Sequence, residues 1–220
     1  MAGALASPPW QSDAMPGTPL YGQPSRLDWN RIDAWSQQLA RGDLSQIKLV
    51  FAAAGALEPR VQWRPQRWQI VTSQLHFLLD YWSDLRGAAD LPRAEAVDLR
   101  QLSPILGYET LVDVVDGGRD FRYRWCGNMF IGVTGNDMTG RLLSEYPARP
   151  YVVESSVALY RAAWRRCEPV YTERAPAGAT VTRLWQRLLL PLADAEGRVE
   201  SFLVGIIPIG ADGLVAQMQG

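Results

Sequence analysis

The chain has 220 residues, 22 basic and 23 acidic side chains, one histidine and two cysteines. That length holds one domain and an extension around a core that needs neither disulfides nor a structural metal. A net charge of −1 gives no field to argue for nucleic acid or an anionic membrane, and the histidine and cysteine count leaves zinc short of ligands.

Cys126 and Cys167 have no CxxC partner, so a reducing cytoplasm is the simplest setting. The first residues lack the basic and apolar regions of a secretory signal. The longest uncharged apolar stretch, 49–57, falls far short of the roughly 20 residues of a spanning helix. The expectation is a soluble protein, with no membrane or nucleic-acid partner.

Residues 1–26 are rich in Pro, Gly and Ser, show no apolar periodicity and are expected to be a disordered tail. Residues 27–73 read as a helical extension and connector. Trp29, Ile32, Trp35 and Leu39 recur at helical spacing up to Gly42, and 44–57 forms a second short helix stopped by Pro59. The stretch from Pro59 to Pro65 reads as connector.

A domain over 74–210 follows. It opens with an amphipathic helix carrying Leu75, Leu78, Leu79, Trp82 and Leu85 on one stripe, with Gly87 as its stop. After a short helical turn within 99–106, strands are predicted over 108–115 and 121–126, joined by Asp116-Gly117-Gly118. In the second of these, aromatic and arginine residues alternate. Residues 127–146, rich in Gly, Asn, Asp and Thr, suit several one-turn helices. A long helix begins near Pro150, with Val153, Val157, Tyr160, Trp164 and Cys167 on its core stripe.

Pro169 ends that helix, 170–174 is a third strand, and 175–179 turns the chain. A hairpin of 185–192 and 199–207 closes the domain, with a turn at 193–197. In it Leu184, Leu188, Leu190 and Leu192 form the core face, while Arg183, Trp185 and Arg187 form a wetter one. Residues 211–220 read as a C-terminal tail.

Five local stretches occur in order: Tyr81-Trp82, Leu91-Pro92-Arg93, Phe121-Arg-Tyr-Arg-Trp-Cys-Gly127, Met138-Thr-Gly-Arg-Leu142 and Arg187-Leu-Leu-Leu-Pro-Leu192. With the element order, they resemble the PAS-like family of small bacterial proteins, common in alphaproteobacteria, that carry a single PAS domain and no output domain. The resemblance covers roughly 74–209. It implies an α+β fold: a five-stranded antiparallel sheet with one long helix and several short helices on one face, here preceded by the helical extension. It also implies a sensory or regulatory interaction module, which would pass on a signal by binding a protein partner, a ligand or a change of homodimer state shifting the population that binds. With one histidine no Ser-His-Asp or Cys-His arrangement can be built except around His76, so an enzyme is not expected.

A PAS cavity lies between sheet and helices. Phe121, Tyr123 and Trp125 on the second strand, facing Tyr160 and Trp164 on the long helix, would make it aromatic, and Gln186 would orient a small ligand. The alternative is that these side chains pack together as core. Flavin chemistry lacks its cysteine motif, since Cys126 is followed by Gly-Asn-Met-Phe. Haem lacks a histidine on the long helix, and His76 reads as a partly exposed helix residue, so no cofactor is identified. Asp113, Asp116, Asp120 and Asp137 lie near turns, where Asp bonds local backbone, and Cys167 reads as a small core residue.

Arg161, Arg165 and Arg166, joined by Arg183 and Arg187, form a basic face for an acidic partner or a nucleotide, or else a solvated surface with ion pairs to Glu168 and Glu173. Trp29, Trp35, Trp63, Trp68 and Trp82 suit a partner or dimer surface, the rival being that they cover the domain's own sheet. Two further readings stay open: a constitutive scaffold with a filled core, and a small-molecule enzyme using the same cavity.

Overall fold

The structure, a computed structural model, describes residues 27–176 and 182–215. The tail expected over 1–26 lies outside the described residues, as do most of the 175–179 turn and the end of the C-terminal tail. Asp28 caps the first helix, α1 (Trp29–Ala40), its carboxylate accepting the Arg31 backbone N–H at 3.1 Å. The second, α2 (Ser45–Ala53), stops before Pro59.

The connector expected at 59–65 is instead a strand, β1 (Arg60–Trp63). It is only four residues long, too short for alternation to show, and its flanking prolines fit the ends of an edge strand. It pairs antiparallel with β4 (Val170–Arg174), which brings the sheet to six strands where five are expected.

After α3 (Ser73–Arg86), ended by Gly87 at φ 55°, three short 3-10 turns lead to β2 (Glu109–Val115) and β3 (Asp120–Cys126). Then come α4 (Asn128–Thr134), α5 (Pro150–Arg166), β4, β5 (Thr182–Ala193) and β6 (Val199–Gly210). The strand order is β1-β4-β5-β6-β2-β3, with every neighbour antiparallel. The long β5–β6 hairpin therefore sits at the centre, as its run of apolar residues requires.

Both faces of the sheet are covered. At Gly205 an added Cβ would stand 2.5 Å from Leu75 and 2.8 Å from Ile105, so α3 lies directly on the face that carries Leu188 and Leu190. The other face, carrying Trp185 and Arg187, is not the wetter exterior expected, because α5 packs over it.

The helix α5 is itself buried on two sides. Ten of its seventeen residues are buried, including Glu154, because the sheet lies below it and α1 across its back. Small residues at Ala158, Ala162 and Ala163 help to fill this layered core. At its end Cys167 is an exposed cap residue with φ 53°, not the core residue expected.

Candidate functional site

Register decides which side chains face α5. Between β2 and β3, Val112 stands opposite Tyr123 and Leu111 opposite Trp125, so Arg124 is an extra, bulged residue. Such a bulge rotates everything beyond it by one side. Tyr123 therefore faces α5, Trp125 turns to the opposite face, and Cys126, opposite Thr110, takes the inner position and is buried.

The six residues expected to form an aromatic pocket are thus dispersed. Phe121 and Tyr160 meet Phe202 with ring centroids 5.2, 6.0 and 5.5 Å apart, a filled aromatic core. Trp164 lies over the Gly118 turn, its indole N–H donating to the Val199 carbonyl at 3.2 Å. Gln186 stands opposite Ile207 and shares the α3-side face with Leu188; its Oε1 is buried and meets no donor among the described residues. Of the six, Tyr123 lines the cleft between α5 and the sheet.

That cleft lies where α5 crosses β4 and β5. Its walls are Tyr123, Phe130, Leu143, Tyr146, Val152, Val153 and Ser156, and its floor is Thr172, Arg174, Trp185, Arg187 and Ile206. Its interior volume is about 40 Å³, room for a few water-sized groups, and it opens to solvent at its mouth. A second hollow on the far side of Ser156, walled by Leu39, Ile47, Phe51 and Val61, reaches the same Thr172, Arg174 and Arg187. The extension thus completes the site from behind.

Arg174 and Arg187 are what sequence reasoning missed at this position. On paired strands Thr172 stands opposite Arg187 and Arg174 opposite Trp185, so the two arginines are diagonal neighbours on one face. Burial, with Arg187 adding repulsion, pushes the Arg174 guanidinium down to about 10. Among the described residues neither has a carboxylate partner. Among the described residues Arg174 donates a long 3.4 Å bond to the Ala175 carbonyl, and Arg187 sits 5.5 Å from the Tyr160 ring. Glu173, between Thr172 and Arg174, points to the other face and bonds the Tyr171 hydroxyl at 2.6 Å. Burial holds the phenols of Tyr123 and Tyr160 above the usual range, the latter at about 12, so both are neutral neighbours.

The basic face expected on α5 is spent on holding α1. Arg161 pairs with Asp33, Arg165 donates to the Ser36 hydroxyl at 2.7 Å, and Arg166 donates to the Ala40 carbonyl at 2.6 Å and to Glu168 at 2.8 Å. Arg187 is separated from them in the cleft, and Arg183 is exposed.

Among the tryptophans, Trp35 and Trp82 are buried within the fold, Trp82 donating to the Pro191 carbonyl at 2.8 Å. Trp29 lies under Arg119 and Trp63 under Arg166, with the guanidinium carbons 5.1 and 4.5 Å from the rings. Trp68 alone of the five is largely exposed, at 80 %.

His76, half-buried on α3, is bonded through Nε2 to the Ile70 carbonyl at 2.9 Å. Of the aspartates expected near turns, Asp120 accepts from Phe121 at 2.8 Å and Asp137 from Thr139 at 2.9 Å, whereas Asp113 lies within β2 and pairs with Arg124 at 2.5 Å. Among the described residues no three His, Cys, Asp or Glu side chains gather as a metal site requires, and no helix is long and apolar enough to cross a membrane.

No curated protein and no solved structure matches the chain. The family model for the PAS domain matches residues 71–207, from just before α3 into the last strand, and includes β2 to β5, most of β6, α5 and the residues lining the cleft, but not β1. Covering well over half of the 220 residues, that match places the chain in the PAS domain family.

Proposed function

We propose that the chain is a sensory module in which a small ligand in the α5 cleft alters how the α1–α2 extension presents itself to a protein partner. Family membership supports the first half, since PAS domains are sensory or regulatory modules. The observation that carries the second is the division of α5. Val152, Val153 and Ser156 wall the cleft, while Glu154, Arg161 and Arg165 on the same helix grip α1. A ligand that moves α5 differentially between two states would shift the population of docked α1.

The test is native mass spectrometry of gently purified protein set against its denatured mass, followed by hydrogen exchange of α1 with and without any compound found. An added mass, with altered exchange in residues 29–40, supports the sensor. The filled Phe121–Tyr160–Phe202 core favours a second reading, a constitutive scaffold that binds its partner without a ligand. A bare polypeptide mass and unchanged partner binding across metabolite mixtures would decide for it.

A further inference from the structure

Two arginines side by side repel, and each is more stable in water than beside apolar walls. Elsewhere in the fold, arginines drawn into packing are answered: Arg161 by Asp33, and Arg166 by Glu168 and the Ala40 carbonyl. Among the described residues no carboxylate answers Arg174 or Arg187, yet both line the cleft and the hollow behind it. The rest of the lining is largely apolar, Phe130, Leu143, Trp185 and Ile206 among it, with hydroxyls from Tyr123, Tyr146, Ser156 and Thr172.

A guanidinium offers a planar fork of donors that matches a carboxylate. A phosphate would set three charged oxygens against aromatic and aliphatic walls. A carboxylate ends its charge at two, leaving an apolar body for those walls. Resting on the sensory reading above, we propose that the cleft takes an organic carboxylate with an aromatic or short aliphatic body, its oxygens accepting hydrogen bonds from Arg174 and Arg187. The ligand would supply the counter-charge that no described carboxylate gives the two arginines.

The test measures binding to the full chain by calorimetry and thermal shift. The probes are benzoate, phenylacetate and hexanoate, with neutral benzamide and inorganic phosphate as comparisons. At least one carboxylate should bind and raise Tm, benzamide and phosphate being weaker by tenfold or more. Arg174→Gln and Arg187→Gln should each weaken the carboxylate at least tenfold, Arg187→Lys less, and the exposed Arg183→Gln not at all. The two Gln variants, lacking a ligand, should melt no lower than the parent, since each removes one of two adjacent like charges.

The proposal is overturned if no carboxylate of the panel binds, if benzamide binds as tightly as benzoate, or if Arg187→Gln leaves affinity intact. The benzoate–benzamide comparison needs no variant and so stands whether or not the variants fold. A neutral compound found by native mass spectrometry would sink the anion while leaving the sensor. A bare mass, with no probe binding, would sink both.

Discussion

Arg31 and Glu154, 123 positions apart, meet with Nε 2.8 Å and Nη2 2.6 Å from the same carboxylate oxygen. The Glu154 side chain is 1 % exposed, and its other oxygen accepts the Asp28 backbone N–H at 2.9 Å. The extension is thereby tied to the N-terminal part of the PAS helix by a buried charge that, among the described residues, the extension answers. Removing the arginine alone, as Arg31→Met, should cost about 3 kcal/mol, because it strands that charge. Adding Glu154→Leu should restore most of the loss. Urea denaturation of the three proteins checks this, and equal losses in the single and double variants would refute it.

Gly118 has φ +79°, and a Cβ there would stand 2.5 Å from the Trp164 ring. Gly118→Ala should therefore destabilise by about 2 kcal/mol, partly from overpacking and partly from backbone conformation. In a Trp164→Ala background the overpacking part disappears and the backbone part stays. Denaturant midpoints of the four proteins in that cycle separate the two, and an unchanged penalty would show that the ring yields freely.

Glu109 is buried, and its two carboxylate oxygens have no hydrogen bond of good geometry. Burial raises its pKa, the backbone N–H groups of 107–109 offsetting only part of this. The folded state thus holds the proton more firmly than the unfolded chain. Its stabilising contribution is complete below the unfolded carboxylate value near pH 4 and is lost as pH rises through the folded value. Glu109→Gln should therefore be more stable than the parent by about 1 kcal/mol at pH 7.5, and should lose that advantage toward pH 4. A difference that does not vary with pH would contradict the assignment.

The two thiols should separate cleanly. Burial pushes Cys126 up to about 11 and hides it, whereas Cys167 is exposed although its thiol is also raised. Iodoacetamide at pH 8 should add one group to the native protein, at Cys167, and two after denaturation. Native modification of Cys126 would mean that β3 opens on the reaction timescale.

Periodicity made the helices legible: α1, α3 and α5 carry Ile32, Leu75 and Val157 where their stripes require, and strand alternation marked β3 and the β5–β6 hairpin. What periodicity could not reveal was side. One bulged residue, Arg124, exchanged Trp125 for Cys126 on the inner face, and no local pattern announces a bulge. The polarity of Arg187 suggested solvent, because alternation cannot distinguish a wet face from one roofed by a helix. Its neighbour Arg174 carried no signal at all, since the pair exists only in the β4–β5 register. The arginines of α5 were visible, but their partners on α1 lie more than a hundred residues away.

β1 gives the fold a boundary that its family match does not have. A fragment cut at residue 71 would bare the outer hydrogen-bonding edge of β4, and with α1 gone would uncover the back of α5 and take from Glu154 its partners Asp28 and Arg31. Such a piece would offer a ready template for strand addition and would tend to aggregate. The unit that evolution can shuffle, or an engineer can graft, therefore starts at Asp28, where the capping carboxylate opens α1, and carries its adapter with it.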